Sequence, residues 1–223
     1  MSDTDYYVET YARDWVQMDK LDWNYLSRNA SAIHLLESNP DKINWIGLSQ
    51  NPSAIHILEA NPSKINWPSL SFNPSAMHLI ERHPEKINWD ILSCNPSAMH
   101  LLYANPEKIN WSGLSQNPCA IHLLEARQSL INWSGLSQNP SAIEILKANP
   151  KKINWSWLAR NPNAIDMIEY KLRTTPNRIN WNNLSANPNA IHILEMNQDK
   201  IMWDYLSLNT AIFDFDKYSV QFK

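Results

Sequence analysis

The sequence predicts an all-α solenoid of about nine 22-residue, two-helix repeats with N- and C-terminal caps. The first observation behind this prediction is the spacing of tryptophan. Successive Trp residues lie 22 residues apart from Trp23 to Trp155, and they continue at Trp181, after 26 residues, and at Trp203, after 22 more. A fixed period of this length is typical of stacked repeats, each packed against its neighbours.

The second observation is the uniformity of the repeat. Nine units follow the template I-N-W-x-x-L-S-x-N-P-S-A-I-H-L-L-E-x-N-P-x-K, and each is numbered here from its Trp. A leucine always follows the Trp by three residues, and an asparagine always follows it by six. This uniformity indicates that every unit meets the same packing requirement against its neighbours.

The third observation is the placement of caps and prolines around the Trp. In unit 3, Asn66 stands at an N-cap position and Pro68 falls in the first turn of a helix that begins at Trp67. Asp22, another good cap, replaces the Asn before the first Trp. Met202 cannot cap, so we expect a weaker last unit.

A second helix is predicted to follow in each unit. In unit 2, Asn51 can cap it, Pro52 fits its first turn, and the apolar residues that follow cover an arc of about 160°. The helix must stop near Ala60, because Asn61 precedes a proline. Asn61 is then expected to cap a short turn. A leucine-rich-repeat-like coil, with Lys-Ile-Asn as a short strand, is the alternative.

One unit carries four extra residues, near 170–177. Four residues make about one helical turn, and Leu172 follows Ile168 by four, so the apolar face continues. We expect the second helix of this unit, which starts from Asn161, to be one turn longer and to end near Arg173.

The ends of the chain differ from the template. Residues 1–22 place Val8, Tyr11, Ala12, Trp15 and Met18 at helical spacing, which predicts an N-terminal cap helix before the solenoid of residues 23–208. Residues 209–223 are the predicted C-terminal cap, with aromatic residues to cover the last open face: Phe213, Phe215, Tyr218 and Phe222. At roughly 10 Å per unit, nine units would span about 90 Å.

Composition excludes several classes of protein. The net charge of −3 gives no general attraction to nucleic acid or membrane. Three glycines cannot build a Gly-rich phosphate loop, and two cysteines do not make a disulfide framework. With no signal peptide and no apolar stretch of about 18 residues, the expected location is the cytoplasm, with no membrane partner.

The wording NPSAIHLLEANPSKINW resembles a repeat of functionally uncharacterised proteins from giant DNA viruses of the mimivirus and phycodnavirus kind. The resemblance covers about Lys20 to Ile212, with departures at Ala30, Gln128, Gln198 and the insertion. It implies a viral repeat protein in the host cytoplasm or the virion, and it implies no catalytic residue.

The repeated Trp and His residues are the most conspicuous candidates for function. Nine exposed Trp rings could stack on a ligand, but they would form an apolar patch of roughly 1,800 Å², far above the usual size, so we interpret them as core. The His column could be a metal ladder or a pH sensor, yet each His precedes a Glu by three residues in most units. We therefore expect surface His–Glu pairs within a helix.

No catalytic, cofactor-binding or metal site is predicted, because the carboxylates do not converge and Cys94 and Cys119 each occur in a single unit. The expected function is a non-enzymatic scaffold for protein–protein interaction, with a host or viral partner. Alternatives are a structural virion component and, less favoured, a nucleic-acid-binding repeat. Residues 147–178 carry net charge +5 (seven basic, two acidic). The candidate partner surface comprises Lys151, Lys152, Trp157, Arg160, Lys171, Arg173, Arg178 and Tyr205.

Overall fold

The computed structural model describes residues 11–214, and this part of the chain is all-α. It contains seventeen α-helices and no strand, which confirms the predicted all-α repeat solenoid. The leucine-rich-repeat alternative is wrong: Ile43 and Asn44 are extended, but neither belongs to a strand.

Each unit begins with a short helix at its Trp. These first helices span Trp23–Leu26, Trp45–Gln50, Trp67–Leu70, Trp89–Leu92, Trp111–Leu114, Trp133–Gln138, Trp155–Leu158, Trp181–Ser185 and Trp203–Leu206. The second helices, in units 1 to 8, span Ile33–Glu37, Ile55–Ala60, Met77–Arg82, Met99–Ala104, Ile121–Ala126, Ile143–Ala148, Ile165–Thr174 and Ile191–Glu195.

Short 3₁₀ turns connect these helices. Before the second helix, and at the end of the described chain, they span Ala30–Ala32, Pro74–Ala76, Pro96–Ala98, Pro118–Ala120, Pro140–Ala142, Pro162–Ala164, Pro188–Ala190 and Thr210–Ile212. Before the first helix they span Met18–Lys20, Pro40–Lys42, Pro62–Lys64, Pro84–Lys86, Pro106–Lys108, Gln128–Leu130, Pro150–Lys152, Pro176–Arg178 and Gln198–Lys200.

The capping predictions for the first helix are confirmed. The side chain of Asn66 accepts a hydrogen bond from the backbone N–H of Ser69 at 3.0 Å. Asp22 accepts from the N–H groups of Asn24 and Tyr25. Met202 supplies no side-chain cap. The first turn of each helix therefore depends on a carboxylate or amide oxygen, except in the last unit.

The role predicted for the second asparagine is wrong. The Asn61 side chain does not cap the 3₁₀ turn after it; its Nδ2 donates to the carbonyl of Ile57 at 2.9 Å, four residues back. Asn149 bonds to Ile145 in the same way. This asparagine closes the second helix by binding one of the carbonyls that a helix end leaves free.

The inserted residues behave as predicted. The second helix of unit 7 spans Ile165–Thr174 and has ten residues, against five or six in the other units. It ends one residue beyond Arg173, close to the expected position. Leu172 packs against the core, so the extra turn continues the apolar face.

A ladder of buried asparagines joins successive units. These are the invariant asparagines six residues after each Trp, and each is at most 1% exposed. In unit 6, Asn139 Nδ2 donates to the carbonyls of Ser115 and Asn117 in unit 5, at 3.0 and 2.9 Å. Its Oδ1 accepts from the N–H of Ser141 at 2.9 Å. The invariance therefore reflects a bond between units as well as a local cap.

The ladder closes on itself. Asn29 in unit 1 donates to the carbonyls of Ser207 and Asn209 in unit 9, at 2.9 and 3.1 Å. Unit 1 thus contacts unit 9 as every other unit contacts the one before it. The nine units form a ring, and each turns by about 40° if the rotation is shared equally.

The two ends of the chain complete the ninth unit together. Lys20 lies over the ring of Trp203, as Lys42 lies over Trp23 inside unit 1. The N–H of Asp22 donates to Ser207 Oγ at 2.8 Å, which matches the bond from Asn44 to Ser27. The N-terminal segment therefore supplies the last turn of unit 9.

A short pairing holds this junction closed. Ala12 and Phe213 form an antiparallel bridge, and Arg13 donates to the carbonyl of Ala211 at 2.7 Å and pairs with Asp214. The two ends thus meet each other and do not cap separate open faces, so the expected span of about 90 Å is wrong. Residues 12–22 contain a 3₁₀ turn at Met18–Lys20. Residues 1–10, which belong to the predicted cap helix, lie outside the described residues, as do Phe215, Tyr218 and Phe222.

Among the repeated apolar residues, the leucines and alanines are fully buried and the tryptophans are not. The leucine three residues after each Trp is at most 1% exposed. The tryptophans are half-buried against the core. In seven units a cation lies over the Trp ring at 4.4–5.9 Å. The tryptophans are structural, as expected, but these seven pack between the core and a Lys or Arg side chain.

Candidate functional site

The ring has a central lumen lined by the residues that follow each Trp by five. Seven of these residues line two adjoining cavities: Arg28, Gln50, Phe72, Gln116, Gln138, Arg160 and Leu208. They come from units 1, 2, 3, 5, 6, 7 and 9, so the cavities lie at the centre of the ring. Sequence analysis did not predict this lumen, because it depends on ring closure.

Three residues belong to both cavities. Arg28, Phe72 and Arg160 line each of them. One cavity is also lined by residues at the start of the first helices, such as Ser134 and Trp157. Its volume is about 450 Å³. The other cavity is also lined by prolines that precede the second helices, such as Pro52. Its volume is about 310 Å³. The shared residues therefore lie where the two cavities adjoin.

Arg28 and Arg160 are the charged side chains of the lumen. No Asp or Glu lines either cavity, and neither guanidinium forms a hydrogen bond or ion pair within residues 11–214. Burial lowers the pKa of both groups, and Arg28 lowers the pKa of Arg160 further by charge repulsion. The lumen is therefore positively charged.

Cys94 occupies the corresponding position in unit 4. Burial raises the pKa of its thiol to about 11, so the thiol is protonated at neutral pH. A catalytic cysteine needs a lowered pKa to form the thiolate. Cys94 therefore lacks the property of an activated nucleophile.

The candidate partner surface predicted from the sequence does not form one patch. Arg160 and Trp157 line the lumen, and Tyr205 stacks on Tyr25 at the junction of units 1 and 9, with a centroid distance of 5.6 Å. The other five predicted residues lie outside the lumen lining: Lys151, Lys152, Lys171, Arg173 and Arg178. Lys152 and Lys171 lie over Trp133 and Trp155.

The basic residues outside the lumen have exposed apolar neighbours that were not predicted from the sequence. Tyr170 and Met196 are 60% and 75% exposed, and each directly follows the Glu of its second helix. Most other units have alanine at this position. His192 Nε2 lies 2.9 Å from Glu169 Oε1, so the two helices are adjacent. We call Tyr170, Arg173 and Met196 the outer patch; the change from alanine to a large apolar residue could have revealed it.

The predicted His–Glu pairing within a helix is wrong for three of the five histidines for which it was expected. Four histidines bind the Glu of the preceding unit instead, at 2.7–2.9 Å: His56 with Glu37, His78 with Glu59, His100 with Glu81, and His192 with Glu169. The predicted pairing occurs at His34–Glu37 and His122–Glu125. The column therefore links the outer faces of successive units.

Glu37 makes this arrangement testable by pH. Its pKa is lowered, chiefly by the hydrogen bond from His56 and less by His34. A lowered carboxyl pKa stabilises the fold above the unfolded-state pKa, and the effect is lost as pH falls through the folded-state value. We expect His56→Ala, which removes the donor, to raise the Glu37 pKa, measured by carboxyl ¹³C NMR. The stability change should be small, about 0.2–1 kcal/mol for an exposed pair.

The neighbouring pair supplies the control for this prediction. His78→Ala removes the equivalent contact to Glu59, one unit away from Glu37. It should leave the Glu37 pKa unchanged. If His56→Ala also leaves the Glu37 pKa unchanged, the contact between units does not hold the carboxylate.

Within residues 11–214, no group of three or more His, Cys, Asp or Glu side chains is placed to hold a metal ion. Over the same range, no helix combines the length and apolar character required to cross a membrane.

No protein-family model, curated protein or solved structure matches the chain significantly. Function must therefore be inferred from the ring itself, from its lumen and from its outer patch.

Proposed function

We propose that this protein is a non-enzymatic ring scaffold that binds an acidic protein segment through its outer patch. The observation that carries the proposal is the pair of large apolar side chains, Tyr170 and Met196, exposed on adjacent helices where other units have mostly alanine. Exposed aromatic and Met residues beside Arg are enriched at protein interfaces.

Charge supports an acidic partner. Of the seven basic residues in 147–178, only Arg160 lines the lumen. The remaining six outnumber Asp166 and Glu169, which leaves the outside of this region with net charge +4. Such a surface attracts an acidic segment and disfavours a basic one.

The repeated residues are already engaged in building the ring. The invariant Asn bonds the preceding unit, and most of the template Trp rings lie under a cation. Partner choice therefore depends on residues that vary between units. The resemblance to giant-virus repeats makes a viral or host protein the expected partner, in the infected cytoplasm.

The test is capture of partners from infected-cell extract by the full chain. The variant Tyr170→Ser, Arg173→Glu, Met196→Ser should lose at least 90% of a specifically retained protein. Retention by the wild type should weaken from 50 to 200 mM salt, because charge contributes. Proteins retained equally by the wild type and the variant would refute the outer patch.

A matched control uses another part of the ring. Arg82 occupies the template position of Tyr170, and Tyr103 is 60% exposed on the neighbouring unit. The double variant Arg82→Glu, Tyr103→Ser should retain the partner fully. A virion component would instead be abundant in purified particles, and a nucleic-acid binder would shift labelled DNA or RNA at low salt; either result would favour that alternative.

A further inference from the structure

The lumen contains two arginines whose charge nothing in the described protein neutralises. Arg28 and Arg160 stand in units 1 and 7 and are separated by 132 residues of sequence (160 − 28), yet they line the same two cavities. No carboxylate accompanies them in the lining. Partly buried charges without a partner destabilise a fold unless a ligand satisfies them.

We propose that the lumen binds a small phosphate monoester, with the phosphate held between Arg28 and Arg160. This site is separate from the outer patch, and neither proposal depends on the other.

The donor set fits a phosphate. Each guanidinium presents five N–H donors in a planar fork, which matches phosphate oxygens in a bidentate way. Two positive groups also balance the charge of a phosphate monoester, which is close to −2 at neutral pH. The partial burial of both arginines strengthens this attraction, because it is screened less than at an exposed site.

The volume and lining of the larger cavity favour a phosphate attached to a planar group. Its volume of about 450 Å³ lies within the usual range for small-molecule sites, about 300–1,000 Å³. Trp157 and Phe72 line it and are 39% and 40% exposed. Their ring faces can stack on a planar heterocycle, while Ser134 and Asn132 supply polar groups nearby.

The size of the cavities favours a small ligand over a folded partner. The two cavities that share Arg28, Phe72 and Arg160 measure about 450 and 310 Å³. These volumes lie within the range of small-molecule sites.

The experiment measures ligand-dependent thermal stability of the full chain, with adenosine monophosphate as the probe. In a buffer free of multivalent anions, 10 mM adenosine monophosphate should raise the Tm of the wild type by about 2–4 °C. Inorganic phosphate should give a smaller increase, because it lacks the ring. Adenosine should give none, because it lacks the phosphate.

Arg160→Met provides the decisive variant, because its two effects have opposite signs. Without ligand it should raise the Tm by about 2–4 °C, since it removes an unpaired charge. It should also weaken adenosine monophosphate binding at least tenfold in calorimetry. Arg173→Met, on the outer patch, is the control and should bind as the wild type does. Arg28→Met tests the same site from unit 1 if Arg160→Met does not fold.

Three results would overturn the proposal. The first is no rise in wild-type Tm with adenosine monophosphate or phosphate. The second is equal weakening of binding by Arg160→Met and Arg173→Met, which would indicate nonspecific charge attraction. The third is a larger stabilisation by 10 mM succinate than by adenosine monophosphate, which would assign the lumen to a dicarboxylate.

Discussion

Asn139→Ala is expected to lower the free energy of unfolding by about 3–5 kcal/mol. The side chain is fully buried and bonds two carbonyls of the preceding unit and one N–H of its own. Alanine leaves these three groups without their partner, and each unsatisfied buried group costs about 1–3 kcal/mol. Urea denaturation followed by circular dichroism measures the change.

A second asparagine in the same unit is the matched control. Asn149 is half-buried and makes one side-chain bond, to the carbonyl of Ile145 at 2.9 Å. Asn149→Ala should cost about 0.5–1.5 kcal/mol. Equal costs for the two variants would mean that the bonds between units contribute little.

Asn29→Ala should destabilise the protein as much as Asn139→Ala, by about 3–5 kcal/mol. This result is specific to a closed ring. Asn29 is 1% exposed, and the two carbonyls that it binds lie 178 and 180 residues away, in unit 9. In an open stack, unit 1 would have no preceding unit, and its amide would face solvent.

The comparison with Asn149→Ala distinguishes these two possibilities by the same denaturation experiment. A closed ring predicts that Asn29→Ala costs several times more than Asn149→Ala. If Asn29→Ala costs no more than Asn149→Ala, the first and last units are not joined by the ladder. The wild-type m-value should be retained, because both variants expose similar surface on unfolding.

The local features of the fold could be predicted because each depends on a few neighbouring residues. The N-cap at Asn66, the missing cap at Met202 and the longer helix ending at Thr174 all follow from residues within one helix or beside it. Capping and helical periodicity act over one or two turns. A single copy of the repeat contains all the information that these predictions need.

Contacts between units were harder to predict. Glu37 lies three residues after His34 and has His56 of the next unit as its closer partner. Asn61 could have bonded forward to its turn, but it bonds back to Ile57. The sequence allows both partners in each case, and the packing of the units decides between them.

Ring closure depends on a quantity that no single unit reveals. A small change in the rotation between units accumulates over nine of them and decides whether the ends meet. One signal was present: Lys20, Leu21 and Asp22 continue the template backwards from the first Trp, while the ninth unit departs from the template after Asn209. Two incomplete units that complement each other indicate a ring. Without ring closure, nothing in the sequence predicts that Arg28 and Arg160 line the same cavities.

The distance between the first and ninth units tests the ring most directly. Asn24 and Asp204 are both exposed and occupy the same template position. Each would be changed to Cys and labelled with a nitroxide, in a chain whose own Cys94 and Cys119 are changed to Ala. Labels at Asp90 and Ser112, the same position in adjacent units 4 and 5, give the reference. A ring predicts equal dipolar broadening of both spectra, for a spacing of about 10 Å. An open stack would separate the first pair by about 80 Å, and a spectrum without broadening would contradict the closed ring.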